Sequence, residues 1–311
     1  MDWNNLRNPV YQKKKWSTKD ACMEYLDGTF YLFFSAFYQD RWKERSHVVG
    51  VKTEDWKHFS KPIIHLDGRE NGWTGMCSPN ISLIEGKYYL TFNSWGDRHP
   101  NKRKNQLFCM VSTNLEDWGE PYQVAKDLTE GMRAIDIAIT KENGKFYVIW
   151  KADFKYKGKK VRKARISCGS SLIDGLDYIG DSVPTFLLEN GKESTRIQEN
   201  FEFIKIDGQW YLLSLDYRPH EPFLYKLSGD GSEDGDWLKW VDGRKLEIPM
   251  QSFNTDHVSN APYLADWREY DGYFYLLYAG RTEGRSHKRR GNNKLGLARS
   301  KDLYNWEPLS E

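Results

Sequence analysis

The chain has 311 residues, 46 of them basic and 44 acidic, for a formal net charge of +2. No whole-protein field therefore draws it to nucleic acid or to an anionic membrane. It is long enough to bury a substantial core, and radially repeated all-β folds reach this length as one unit. Aromatic residues make up 15% of the chain, with 13 Trp and 19 Tyr; β-structure accounts for part of that excess, and sugar faces, which pack on aromatic rings, suit the remainder. Met1-Asp2-Trp3-Asn4-Asn5 is not a basic segment leading into an apolar run, and nowhere do 18 apolar residues follow one another. No membrane span is expected; the chain is expected to be soluble, with no compartment assigned. The four cysteines, Cys22, Cys77, Cys109 and Cys168, show no CxxC spacing and are read as free thiols.

In chain order, five strand pairs are predicted around one signature, Gly-x-aromatic-Tyr-aliphatic. It occurs at Gly28-Thr29-Phe30-Tyr31-Leu32, Gly86-Lys87-Tyr88-Tyr89-Leu90, Gly144-Lys145-Phe146-Tyr147-Val148, Gly208-Gln209-Trp210-Tyr211-Leu212 and Gly272-Tyr273-Phe274-Tyr275-Leu276. The glycines are 58, 58, 64 and 64 residues apart. Each follows Asp, Glu or Asn, and Asp-Gly or Asn-Gly pairs suit the type I′ turn of a tight hairpin. A third strand and a bend follow at 49–56, 110–118 and 297–306; degenerate versions are expected near 170–178 and 228–240. Three to four strands in each of five units of about 60 residues is the grammar of a propeller blade. The expected fold is all-β, a five-bladed β-propeller filling residues 1–311 as a single domain.

In such a fold the leading strand of each blade lines the axis, so position relative to the repeat glycine is informative. Eight residues before Gly28, Gly86 and Gly144 lie Asp20, Ser78 and Asp136; nine before Gly208 lies Glu199. Three acids in matching register would converge on one funnel and perturb one another's ionisation, an arrangement suited to general acid–base chemistry.

The chain resembles the glycoside hydrolases of family 43, five-bladed propellers that cleave arabinose- and xylose-containing glycans with inversion. Asp20 through Leu32 resembles the family's opening Asp-Pro…Gly-x-Tyr-Tyr-Leu, although Ala21 replaces the proline. Ser78-Pro79-Asn80 resembles the second-blade Ala-Pro-Asp, and Ile135-Asp136 matches the third-blade Ile-Asp. Glu199, with Lys205 and Gly208 at the family's spacing, resembles the fourth-blade Glu-Gly-Pro motif, here Glu199-Asn200-Phe201. His257-Val258-Ser259 resembles a fifth-blade His-x-Ser, and the fifth hairpin is longer by several residues. The resemblance implies Asp20 as general base, Glu199 as general acid, and Asp136 as the residue that orients the acid and keeps its pKa raised. Inversion needs two carboxyl groups about 6.5–9.5 Å apart so that water fits between.

Phe37, Trp73 and Trp95 are candidate sugar platforms, Ser78 and His257 candidate contacts, and Arg281 a candidate partner for a sugar hydroxyl or a funnel acid. No cofactor is expected and no protein-only metal cage is seen; the resemblance allows a structural Ca or Na ion near His257. Lys13-Lys14-Lys15, residues 155–163 and 287–290 read as solvated basic loops, with the stretch 281–290 long enough to overhang the funnel. The expected partner is an oligosaccharide or polysaccharide, not nucleic acid or membrane, and the chain is expected to act as a monomer. An exo-acting α-L-arabinofuranosidase is the leading expectation, with β-xylosidase and endo-xylanase or arabinanase as alternatives. A non-catalytic carbohydrate-binding propeller is the reading from another class, and the three acids in register argue against it. A phosphorylase of related fold would need a basic cluster, for which Arg281, Arg285 and His287 are the residues available.

Overall fold

A computed structural model describes the chain except residues 42, 71, 96–102, 283 and 288 and the side chains of Asp40 and His257. It is a five-bladed β-propeller, built from five sheets taken in chain order. The first contains β1 (Ser17–Leu26), β2 (Thr29–Asp40), β3 (Lys43–Thr53) and β4 (Ile64–Leu66). The second contains β5 (Met76–Ile84), β6 (Lys87–Ser94), β7 (Leu107–Ser112) and β8 (Tyr122–Val124). The third has β9 (Arg133–Glu142), β10 (Lys145–Tyr156), β11 (Lys159–Gly169) and β12 (Leu176–Tyr178). The fourth adds a strand: β13 (Thr185–Leu188) pairs parallel with β17 (Lys239–Lys245), outside β14 (Gln198–Ile206), β15 (Gln209–Asp216) and β16 (Glu221–Leu227). The fifth has β18 (His257–Trp267), β19 (Tyr273–Arg281), β20 (Lys294–Ser300) and β21 (Glu307–Pro308).

Four of the five repeat glycines sit where the signature places them. Asp27-Gly28, Glu85-Gly86, Asn143-Gly144 and Asp207-Gly208 have positive φ at both residues, as a type I′ turn requires. The fifth departs. One helical turn, Arg268–Asp271, separates β18 from β19, and Gly272 closes it in the left-handed conformation as a helix cap. That turn is the added length of the fifth hairpin.

Two expectations about outer strands are corrected. In the third blade the third strand is β11, so the stretch near 170–178 holds only the short fourth strand. In the fourth blade the third strand is β16, and most of 228–240 is an excursion ending in a 3₁₀ turn at Asp234–Leu238. Its purpose is packing. Trp237 and Trp240 are fully buried, and Trp237 stacks on Tyr147 of β10 with ring centroids 3.9 Å apart. The basic stretch 155–163 is not a loop but the tip of the β10–β11 hairpin, turned at Lys157-Gly158 with positive φ at both.

The described chain divides into two compact units. One comprises Met1–Pro79, Trp95–His99 and Leu246–Glu311; the other comprises Asn80–Ser94 and Pro100–Lys245. In the first, β1 packs against β18, and the N-terminal segment is stitched to the fifth blade. There Asn8 exchanges bonds with the Leu297 backbone, and Tyr11 bridges Leu295. In the second, β9 packs against both β6 and β14, so the leading strand of the third blade touches the second strand of one neighbouring blade and the leading strand of the other. All four cysteines are free thiols.

Candidate active site

Every leading strand carries the same backbone device. Asp20, Ser78, Asp136, Asn200 and Ala261 all have φ between 45° and 58°, and the ladders of β1, β9, β14 and β18 slip register there. A bulge with a left-handed residue re-aims side chains and ends regular pairing. Asp and Asn tolerate this conformation better than most residues because their short polar groups bond locally. The register inferred from the repeat glycines thus has a physical basis: Asp20, Ser78 and Asp136 occupy one bulge position in three blades. Glu199 lies one residue earlier, and Asn200 takes the bulge itself.

In the first unit, Asp20 is buried, with its Oδ1 2.9 Å from Lys19 Nζ. The Ser78 amide donates to Ser35 Oγ at 2.7 Å. Phe37 is buried, and its ring is met edge-on by Trp95 and His287, with centroids 5.2 and 5.6 Å away. His287 also bonds Glu44 at 3.2 Å. Trp73 and Trp95 are half-buried. Arg281 Nε donates to Asp256 Oδ2 at 3.1 Å. Arg281 and His287, two of the three residues suggested for a phosphate cluster there, are thus each already bonded to a carboxylate. His257 opens β18 opposite Arg281; its side chain lies outside the described residues. Among the described residues no group of three or more His, Cys, Asp or Glu is arranged to hold a metal ion.

The second unit joins the other two acids through a residue the sequence did not reveal. Lys151 of β10 is buried, with its ammonium 2.9 Å from Asp136 Oδ2 and in hydrogen-bond contact with Glu199 Oε2. All three side chains are at most 7% exposed. Burial by itself would lower the Lys151 pKa, but the charges of Asp136 and Glu199 outweigh it and hold the ammonium above its usual value. Asp136 and Glu199 thus share one cation, Lys151.

The signal that would have found Lys151 is register. It stands seven residues after Gly144, where the first two repeats have Ser35 and Asn93. Ser35 accepts the amide of Ser78, and Asn93 Oδ1 accepts the amide of Asp136 at 2.9 Å. In both cases this position steadies the bulge of the next blade. A lysine cannot accept, so in the third blade the same position pairs with the next blade's acid instead. Asn80 adds a second support, because its Nδ2 donates to the Phe201 carbonyl at 3.2 Å, two residues beyond Glu199.

A cavity of about 580 Å³ also opens in the second unit, where Arg133 begins β9 and the β10–β11 hairpin stands beside it. Its lining includes Lys104, Arg133, Asp153, Phe154, Lys160 and Arg162.

No protein-family model matches the chain, and no curated protein matches its sequence. Solved structures do. The GH43_1 enzyme of Xanthomonas citri complexed with xylotriose is 15% identical, with a TM-score of 0.66 over 98% of this chain and 93% of that one. A thermostable family-43 glycoside hydrolase is 13% identical, with a TM-score of 0.65 over 99% and 96%. A structure from the GH130 family of mannoside phosphorylases, described as containing hydrolases of β-1,2 mannosidic linkages, is 15% identical, with a TM-score of 0.66 over 98% and 95%. At these identities the likeness is one of fold.

Proposed function

We propose that this chain is a glycoside hydrolase acting with inversion on a pentose-containing glycan. Glu199 protonates the leaving oxygen, Asp20 takes the proton of the attacking water, and Asp136 and Lys151 position Glu199. The observation that carries this reading is the buried Asp136–Lys151–Glu199 cluster, raised on the same bulge register that presents Asp20. Three acids buried on leading strands are costly for stability, and such costs gather where chemistry is done.

Among sugars, an exo-acting α-L-arabinofuranosidase and a β-xylosidase are the two readings kept, and the xylotriose held by the Xanthomonas citri neighbour supports a pentose glycan. The test is a screen of aryl α-L-arabinofuranoside, β-D-xyloside and β-D-galactoside, with NMR of the anomer formed first. Cleavage of a pentoside with inverted product is expected. A retained anomer would overturn the mechanism, and inactivity on all three would favour a propeller that only binds carbohydrate.

A further inference from the structure

The cavity beside β9 and the β10–β11 hairpin has a charge the proposed chemistry does not use. Five cations line it, Lys104, Lys155 and Lys160 with Arg133 and Arg162, against the single carboxylate of Asp153. That carboxylate is already engaged by Arg162, whose Nε and Nη2 donate to it at 2.6 and 2.9 Å in a bidentate pair. Arg133 pairs with the same carboxylate only at longer range. Its Nη1 is buried, donates to no acceptor among the described residues, and lies 3.9 Å from Asp153 Oδ1, beyond hydrogen-bond reach. A buried guanidinium donor without an acceptor is costly, and an anion in the cavity would supply one.

Position ties this cavity to the candidate active site. Arg133, Asp153 and Arg162 form one cross-strand row, with Asp153 opposite both arginines. Lys151 lies two residues back along β10, and residues two apart on a strand share a face at about 6.6–6.8 Å. An occupant of the cavity would therefore adjoin the Lys151–Glu199 pair. Size and lining narrow its chemistry. A volume of about 580 Å³ has room for far more than one inorganic ion, and falls in the range of about 300–1,000 Å³ typical of small-molecule sites. Phe154, Val161 and Met132 add apolar wall, which a sugar face can pack against.

We infer that this cavity binds a carboxylate-bearing sugar, so that the glycan recognised is an acidic one carrying a uronic acid next to the bond cleaved. The inference rests on the hydrolase reading for its placement, but binding tests it separately from turnover. Ligand-observed NMR of the full chain at low salt would compare sodium D-glucuronate and D-galacturonate with glucose and galactose, and with sodium phosphate. Both wild type and E199Q are expected to bind a uronate at least ten-fold more tightly than its neutral match. Arg133→Gln and the exposed Lys160→Gln should each cut that preference at least three-fold, with unchanged melting temperature for K160Q. Equal binding of acidic and neutral sugars, a preference untouched by both variants, or phosphate bound as tightly as the uronates would overturn the inference. If uronate binding holds while no glycoside is cleaved, the hydrolase reading fails and the site stands.

Discussion

Replacing Lys151 by Met tests the cluster at the centre of the proposal. The substitution keeps most of the side-chain volume and removes one charge, leaving Asp136 and Glu199 buried without their shared cation. Breaking a buried ion pair from one side costs about 3–5 kcal/mol, and here one ammonium serves two carboxylates, so the upper half of that range is expected at pH 7. Against a total stability of about 5–15 kcal/mol for a folded chain, that loss should be plain in urea denaturation as a lowered midpoint with an unchanged slope. Adding Glu199→Gln to Lys151→Met removes one of the stranded charges and should recover at least about 1 kcal/mol, a coupling that a double-mutant cycle isolates. A loss below about 1 kcal/mol for K151M, or strict additivity of the two changes, would refute the bridging role.

Glu199→Gln should abolish most turnover of natural glycosides while sparing aryl glycosides with acidic leaving groups, since these need no proton from the enzyme. Asp20→Asn should depress both alike, and steady-state rates on the two substrate types separate the roles. Burial pushes the Asp216 carboxyl up to about 6, with Gln198 donating to it and pulling the other way. Its folded value lies above the ordinary one of about 3.9, so its share of stability is fully present below about pH 4 and is lost as pH rises through 6. Melting curves from pH 4 to 7 should show a smaller decline for Asp216→Asn, and parallel profiles would rule the assignment out. Trp237→Ala should cost about 3–5 kcal/mol, because it empties a fully buried site stacked on Tyr147; chemical denaturation reads it directly.

The blade count was legible because the turn between the first two strands of four blades demands positive φ at two successive residues, which few sequences other than Asn-Gly and Asp-Gly supply readily. The fifth copy looked the same in sequence, yet there Gly272 caps a helical turn, since a left-handed glycine serves both geometries. Outer strands were less legible. The tip of the third blade's hairpin is rich in lysine and arginine, and composition alone reads such a run as a loop. Lys151 was hidden for another reason. On β10 it pairs across the ladder with Ile135, and nothing local says that its ammonium reaches a glutamate on another blade. Tertiary ion pairs have no periodicity to betray them.

The bulge register changes how the acids should be compared. Reading back from the repeat glycines treats Asp20, Asp136 and Glu199 as three equivalents, but the backbone makes only the first two so. Glu199 stands at the residue before the bulge, the place held by Lys19, Cys77, Ile135 and Asn260 in the other blades, and it pairs across the ladder with Leu215. Leu215 is the fourth blade's counterpart of Lys151, and an apolar side chain there can neither bond nor neutralise the acid beside it. The cation comes instead from the preceding blade, as do the groups that cap the bulges at Ser78 and Asp136. One rule covers the second, third and fourth blades: the leading-strand bulge, or the carboxylate just before it, is met by the residue seven beyond the previous repeat glycine. The fold supplies the rule, and the choice of Ser, Asn or Lys at that place decides whether the neighbour's backbone is held by a hydrogen bond or its carboxylate is paired with a charge.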